Sequence, residues 1–139
     1  MLLQPASAIT AGIVLLTVIG VAYGGTFMLR VVTGTQGAND LQKSFFRAGH
    51  AHAGVLVILG LVTLLLLDAA KVTGWMHFGA IGVLVAAILI PAGFFFSPLG
   101  RDPRKPNGAI ALVWIGFGVL LVSMVVSGVA LIVAGASAA

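Results

Sequence analysis

An all-α integral membrane fold, a bundle of four transmembrane helices in a single domain over residues 1–139, is what the sequence predicts, and three observations predict it. Hydrophobic residues make up 60% of the chain and charged residues 7%, whereas a soluble domain carries roughly 25% charged residues. The apolar residues gather into four long runs separated by the only charged stretches, and each run is long enough to cross about 30 Å of hydrocarbon. The runs are continuously apolar rather than alternating, so each backbone must satisfy itself as a helix and a β-barrel is excluded.

The first helix is expected at about residues 8–32. The segment ahead of it, Met1 to Ser7, has no basic residue and no small-residue cleavage site, so no removable signal peptide is expected. The second is placed at about 50–68, after the polar stretch containing Lys43 and Arg47. The third, at about 75–97, holds Pro91 and ends on Phe94, Phe95 and Phe96 before Ser97-Pro98. The fourth, at about 108–134, follows the short basic loop Arg101-Asp102-Pro103-Arg104-Lys105-Pro106-Asn107. Small residues recur at helical spacing in Ala8/Gly12, Gly20/Gly24, Ser123/Ser127 and Ala130/Ala134. They favour close helix contacts, within the bundle or with an oligomeric partner.

Charge sets the expected topology. Arg30, Lys43, Arg47, Arg101, Arg104 and Lys105 lie on one side of the four runs, and only Lys71 lies on the other. The positive-inside rule puts loops 33–49 and 98–107 in the cytoplasm and both termini outside, in a bacterial-type inner (plasma) membrane. The net charge of +4 then reports topology rather than nucleic-acid binding, and the basic loops are expected to meet anionic lipid headgroups. Asp68 and Lys71 are expected to form a modest surface ion pair at the outer end, with His77 beside Trp75 at the same interface.

Composition also removes whole classes of chemistry. The chain has no cysteine and no glutamate, which excludes thiolate metal sites, c-type haem attachment and paired-carboxylate catalysis. A nucleophile with an adjacent base and a phosphate-cradling glycine loop are also missing. A channel or transporter would need a polar path through the bilayer, and the outer halves of helices one, two and four hold little beyond isolated Ser and Thr.

The densest polar cluster is Arg47-Ala48-Gly49-His50-Ala51-His52-Ala53-Gly54. Ionisable groups at membrane depth are costly and usually face a partner, a cofactor or the bundle interior. Two geometries are open. In a helix, positions i and i+2 lie about 200° apart, so one imidazole faces inward with small residues beside it. In an extended segment, His50 and His52 face one side and can hold a copper or zinc ion, with Tyr23, Asn39, Asp40 or Asn107 as the nearest further ligands. Hydrogen bonding to lipid phosphate and a proton-relay role also suit the pair.

Arg47-x-x-His50, with His52 and the apolar run Gly54 to Gly60, resembles the helix of haem-copper oxidase subunit I and its NnrS-like relatives that supplies a haem-ligating histidine. The resemblance is confined to Arg47 to Gly60. It implies His50 or His52 as an axial ligand of haem b, with Arg47 as a propionate partner. His77, on the far side of the membrane, cannot oppose either within one chain, which leaves a five-coordinate haem or a homodimer sharing histidines across a two-fold axis. The expected function is a small haem- or metal-binding membrane protein with Arg47, His50, His52 and Tyr23 around the site, in a redox, sensing or cofactor-handling role. The alternative is a cofactor-free accessory or assembly subunit of a larger respiratory-type membrane complex.

Overall fold

The computed structural model describes residues 3–138. They form four helices long and apolar enough to cross a membrane, with no strand among the described residues.

Helix α1 spans Pro5–Val32, with Gln4 at the N-cap and Pro5 in the first turn, where its missing N–H costs nothing. Helix α2 spans Asp40–Ala69 and starts ten residues before the position expected from hydropathy. Its start is set by a capping box: the Asn39 side chain accepts from Gln42 N–H, and the Gln42 side chain accepts from Asn39 N–H. Hydropathy locates the apolar part of a helix, whereas the first turns of α2 are polar and project beyond it.

The same two residues fix the basic loop. Asn39 Nδ2 donates to Asp102 Oδ1 and the Pro103 carbonyl, both at 2.9 Å, and buried Gln42 donates to the carbonyls of Pro98 and Gly100. Asn107 N–H donates to the Ser97 carbonyl at 2.8 Å, closing the loop's other end. A single 3-10 turn, Gly74–His77, leads into α3, Phe78–Phe96, and a second, Gly108–Ile110, leads into α4, Ala111–Ala138.

Helix α3 lies between α2 and α4 and supplies the largest share of the core, including fully buried Ala80, Val83, Ala86 and Ile90. Buried Ser123 and Ser127 of α4 fit against Gly82 and Gly79 of α3, where any Cβ would collide with a serine hydroxyl. The small-residue spacing of that pair therefore packs this chain internally. Helix α1 packs against α2 alone, with an apolar cleft of about 330 Å³ separating its middle from α2 and α3. Gly12 and Gly20 on α1 meet no neighbouring atom. Contact is made at the two ends of α1, through Ser7 at one and through Met28 and Val31 against Phe46 at the other.

Helix α2 ends in a Schellman arrangement, Lys71 N–H to Asp68 O and Val72 N–H to Leu67 O, with Lys71 in the left-handed region at φ 54°. A side chain there costs about 1 kcal/mol. Lys71→Gly is therefore expected to raise the thermal midpoint in detergent by the equivalent of about 0.5–1 kcal/mol, and an unchanged or lowered midpoint contradicts this.

Candidate functional site

Because α2 is already helical at residue 40, His50 and His52 sit three turns inside it, and the extended geometry is excluded. The two imidazoles diverge. His52 turns toward α3 and α4: its ring stacks on Phe94 with centroids 5.2 Å apart and meets the edge of Phe117 at 6.0 Å. Its Nδ1–H donates to the Ala48 carbonyl at 2.7 Å, which fixes the proton on that nitrogen because a carbonyl can only accept. His50 turns instead toward α1 and lies against Gly24 and Gly25. The two histidines thus cannot share one metal ion within a chain. Among the described residues, no three His, Cys, Asp or Glu side chains are grouped to hold one.

The further metal ligands suggested by the sequence have other places. Asn39 and Asn107 cap the starts of α2 and of the turn before α4. Asp40 is exposed and lies 3.7 Å from Lys43. Tyr23, expected beside the site, is 72% exposed on the outward side of α1 and does not line the cavity described next. At 100° per residue its position lies about 200° round the helix from Gly25, on the opposite face.

Arg47 and His50, one helical turn apart on α2, line a common cavity of about 340 Å³. Its other walls are Gly25, Met28, Leu29 and Val32 of α1, with Ala51 of α2. The surface facing the cavity is almost wholly apolar. A Cβ placed on Gly25 would stand 3.8 Å from both Cε1 and Nε2 of His50, an ordinary van der Waals distance, so this edge of the ring lies close against α1. The cavity is a groove open on one side, with exposed Leu29 and Val32 on its rim and exposed Arg47 toward the end carrying most of the cations.

A second polar cluster lies at the other end, where the expected surface pair of Asp68 with Lys71 is not formed. The Asp68 side chain is completely buried. Its Oδ1 accepts from His77 Nε2–H at 2.6 Å and its Oδ2 from Gln4 N–H at 2.8 Å, while Lys71 is turned outward and exposed. The left-handed turn at Lys71 redirects the chain so that the 3-10 turn carries His77 back over the end of α2. His77 is therefore tied into the fold rather than simply lying at an interface beside Trp75. No helical periodicity links residues 68 and 77, so this contact had no signal in the sequence.

Compared with known proteins, the chain matches no family model, no curated protein and no solved structure.

Proposed function

We propose that this chain is a small polytopic membrane protein that binds haem b in the groove between α1 and α2, with His50 as the iron ligand and Arg47 as the partner of a propionate. The observation that carries this is the shared cavity: His50 and Arg47, one turn apart on α2, line it together in an otherwise apolar wall. The donor set fits the group. Imidazole is the common axial ligand of haem iron, the apolar lining suits a porphyrin face, and a planar guanidinium suits a carboxylate. Bound haem supplies one-electron chemistry and gas affinity, which makes electron transfer or sensing the role.

The chain's own residues do three things at that site. His50 would hold the iron, Arg47 would neutralise negative charge at the mouth, and Gly25, having no side chain, leaves room for the His50 ring beside α1. Four apolar helices and the segregation of six basic residues from one support insertion with both termini outside. Exposed Arg101, Arg104 and Lys105, on a loop stapled to α2 by Asn39 and Gln42, then face anionic headgroups on the cytoplasmic side.

The test is the visible spectrum of the detergent-purified protein supplied with haem. A Soret band is expected for the native chain and for His52→Ala, and its loss is expected in His50→Ala. Gly25→Leu, which fills the space over the ring, is expected to weaken haem uptake at least tenfold while leaving the helical circular-dichroism signal unchanged. A colourless native protein overturns the haem site and leaves the chain as a cofactor-free accessory subunit.

A further inference from the structure

We propose that the cleft between the middle of α1 and helices α2 and α3 holds the end of one acyl chain of a bilayer phospholipid. The inference goes beyond the proposed function and stands whatever occupies the groove at Arg47 and His50. The cleft measures about 330 Å³ and is walled by Val14, Thr17 and Val21 of α1, Ala53 and Val57 of α2 and Ala87 of α3, among others. These side chains are short, so helices held together at other levels leave a gap here. At the Val32 end, Phe27, Phe46 and Phe95, one from each helix, pack together with ring centroids 5.3 and 5.7 Å apart. At the other end Ala11 packs on the cluster containing Leu64 and Leu67, and Ser7 is buried. The cleft is thus bounded along the helix axes and opens sideways, past exposed Ile13 and Ile88 on its rim.

Its lining, width and depth select a hydrocarbon chain. The one polar side chain in the wall, Thr17, donates its hydroxyl to the Val14 carbonyl at 2.7 Å. No other lining side chain can hydrogen-bond, so water gains no partner there. The cleft follows α1 from residue 13 to residue 21, about 12 Å, which with its volume gives a width of about 5 Å. A helix with its side chains is about 10–12 Å across, so a transmembrane segment of a second copy does not enter. An extended acyl chain does. Helix α1 continues for about 12 Å before the cleft and about 16 Å after it. In a bilayer with about 30 Å of hydrocarbon the cleft therefore lies near the midplane, where acyl chains end and headgroups do not reach.

Lipid tails are as apolar as leucine, so no hydrophobic drive pushes a chain into the cleft. Dispersion retains it: an unfilled cleft leaves its lining atoms without partners on one side, and a chain restores those contacts. The chain then occupies the seam that α1 and α3 do not form directly, since α1 packs on α2.

The test uses the haem-free protein in phosphatidylcholine vesicles that contain phosphatidylcholine carrying a diazirine at the end of one acyl chain. After photolysis, the labelled residues are located by peptide mass spectrometry. Labelling at Val14, Thr17 and Val57 is expected to exceed that at Leu121 and Val125, exposed positions near the middle of α4, by about fivefold, the ratio that a modest binding preference gives. A diazirine next to the headgroup is expected to give no such excess. Ala53→Phe, which fills the cleft, and the milder Ala53→Leu are expected to lower cleft labelling toward the α4 level, while Val55→Phe, at an exposed position of α2, leaves it unchanged. Equal labelling of cleft and α4 in the native protein overturns the proposal, whether the cleft is empty or covered by a second copy, which a dimeric mass in detergent would identify. An excess that persists in both Ala53 variants with an unchanged helical circular-dichroism signal also overturns it. None of these outcomes depends on haem, so the failure of either reading leaves the other standing.

Discussion

Gly93→Ala is expected to destabilise the helix packing by about 1–3 kcal/mol, the range for forcing one extra carbon into a filled contact. The added Cβ would stand 2.6 Å from Val113 Cγ2 and 2.7 Å from Val113 N. The second of these is backbone, so no rotamer change relieves it and α4 as a whole must move from α3. Gly116→Ala belongs to the same class, with Ile90 Cγ1 at 2.6 Å and Ile90 N at 3.1 Å. Gly12→Ala and Gly20→Ala are the controls, since nothing lies within 4 Å of either position. They are expected to be neutral or to stabilise slightly through helix propensity, which favours Ala over Gly by up to about 1 kcal/mol. Denaturation midpoints in mixed micelles give the ordering, with Gly93→Ala lowest, and a midpoint equal to that of Gly20→Ala contradicts the tight α3–α4 seam.

That contrast shows what helical spacing encodes. Ser123/Ser127 and Gly20/Gly24 have the same four-residue separation, and spacing alone places each pair on one helix face. It does not say which helix that face meets. The serines are buried against α3, Gly24 lies beside His50, and Gly20 meets nothing. The four helices were legible because a long apolar run needs no partner to be recognised. The start of α2 was obscured because Asp40 to Arg47 is helical but polar; the legible signal was Asn39-x-x-Gln42, a pattern of capping chemistry rather than hydropathy.

The histidine pair divides in the same way. That His50 and His52 point apart follows from 100° per residue once the segment is helical. That His50 is the one on the groove depends on where α1 packs, and α1 is placed by contacts at its ends. The sequence brought Arg47 and His50 together by their spacing of three, and it set Tyr23 near the site by its place in the same half of the bundle, which says nothing about the face of α1 on which a side chain emerges.

Asp68→Ala is expected to release the N-terminal end of α1. The carboxylate is the common acceptor for donors from two other elements, Gln4 N–H ahead of α1 and His77 Nε2–H in the turn before α3. Removing one partner of a buried ionic pair costs about 3–5 kcal/mol. His77 keeps some exposure, 18% of its side chain, so the lower end of that range applies. Packing of α1 is otherwise light at this end, where Ala11 meets the Leu64 and Leu67 cluster, and firmer at Met28 and Val31 near its far end. The helix should therefore swing open at the Ser7 end while remaining attached at the other.

The chain has no cysteine, so Ser7→Cys, at a position 2% exposed, gives a reporter without background. A cost of about 3 kcal/mol in local opening corresponds to maleimide labelling about a hundredfold faster in Asp68→Ala. Asp68→Asn keeps an oxygen for Gln4 N–H and a polar group beside His77, and is expected to restore most of the protection. Equal labelling rates with and without the Asp68 carboxylate would show that α1 is held by something other than this latch. Release of this end is also expected to leave the haem spectrum little changed, because the groove wall from Gly25 to Val32 lies beyond the opposite end of the apolar cleft. Loss of the spectrum in Asp68→Ala would instead mean that both ends of α1 must be fixed for the groove to form.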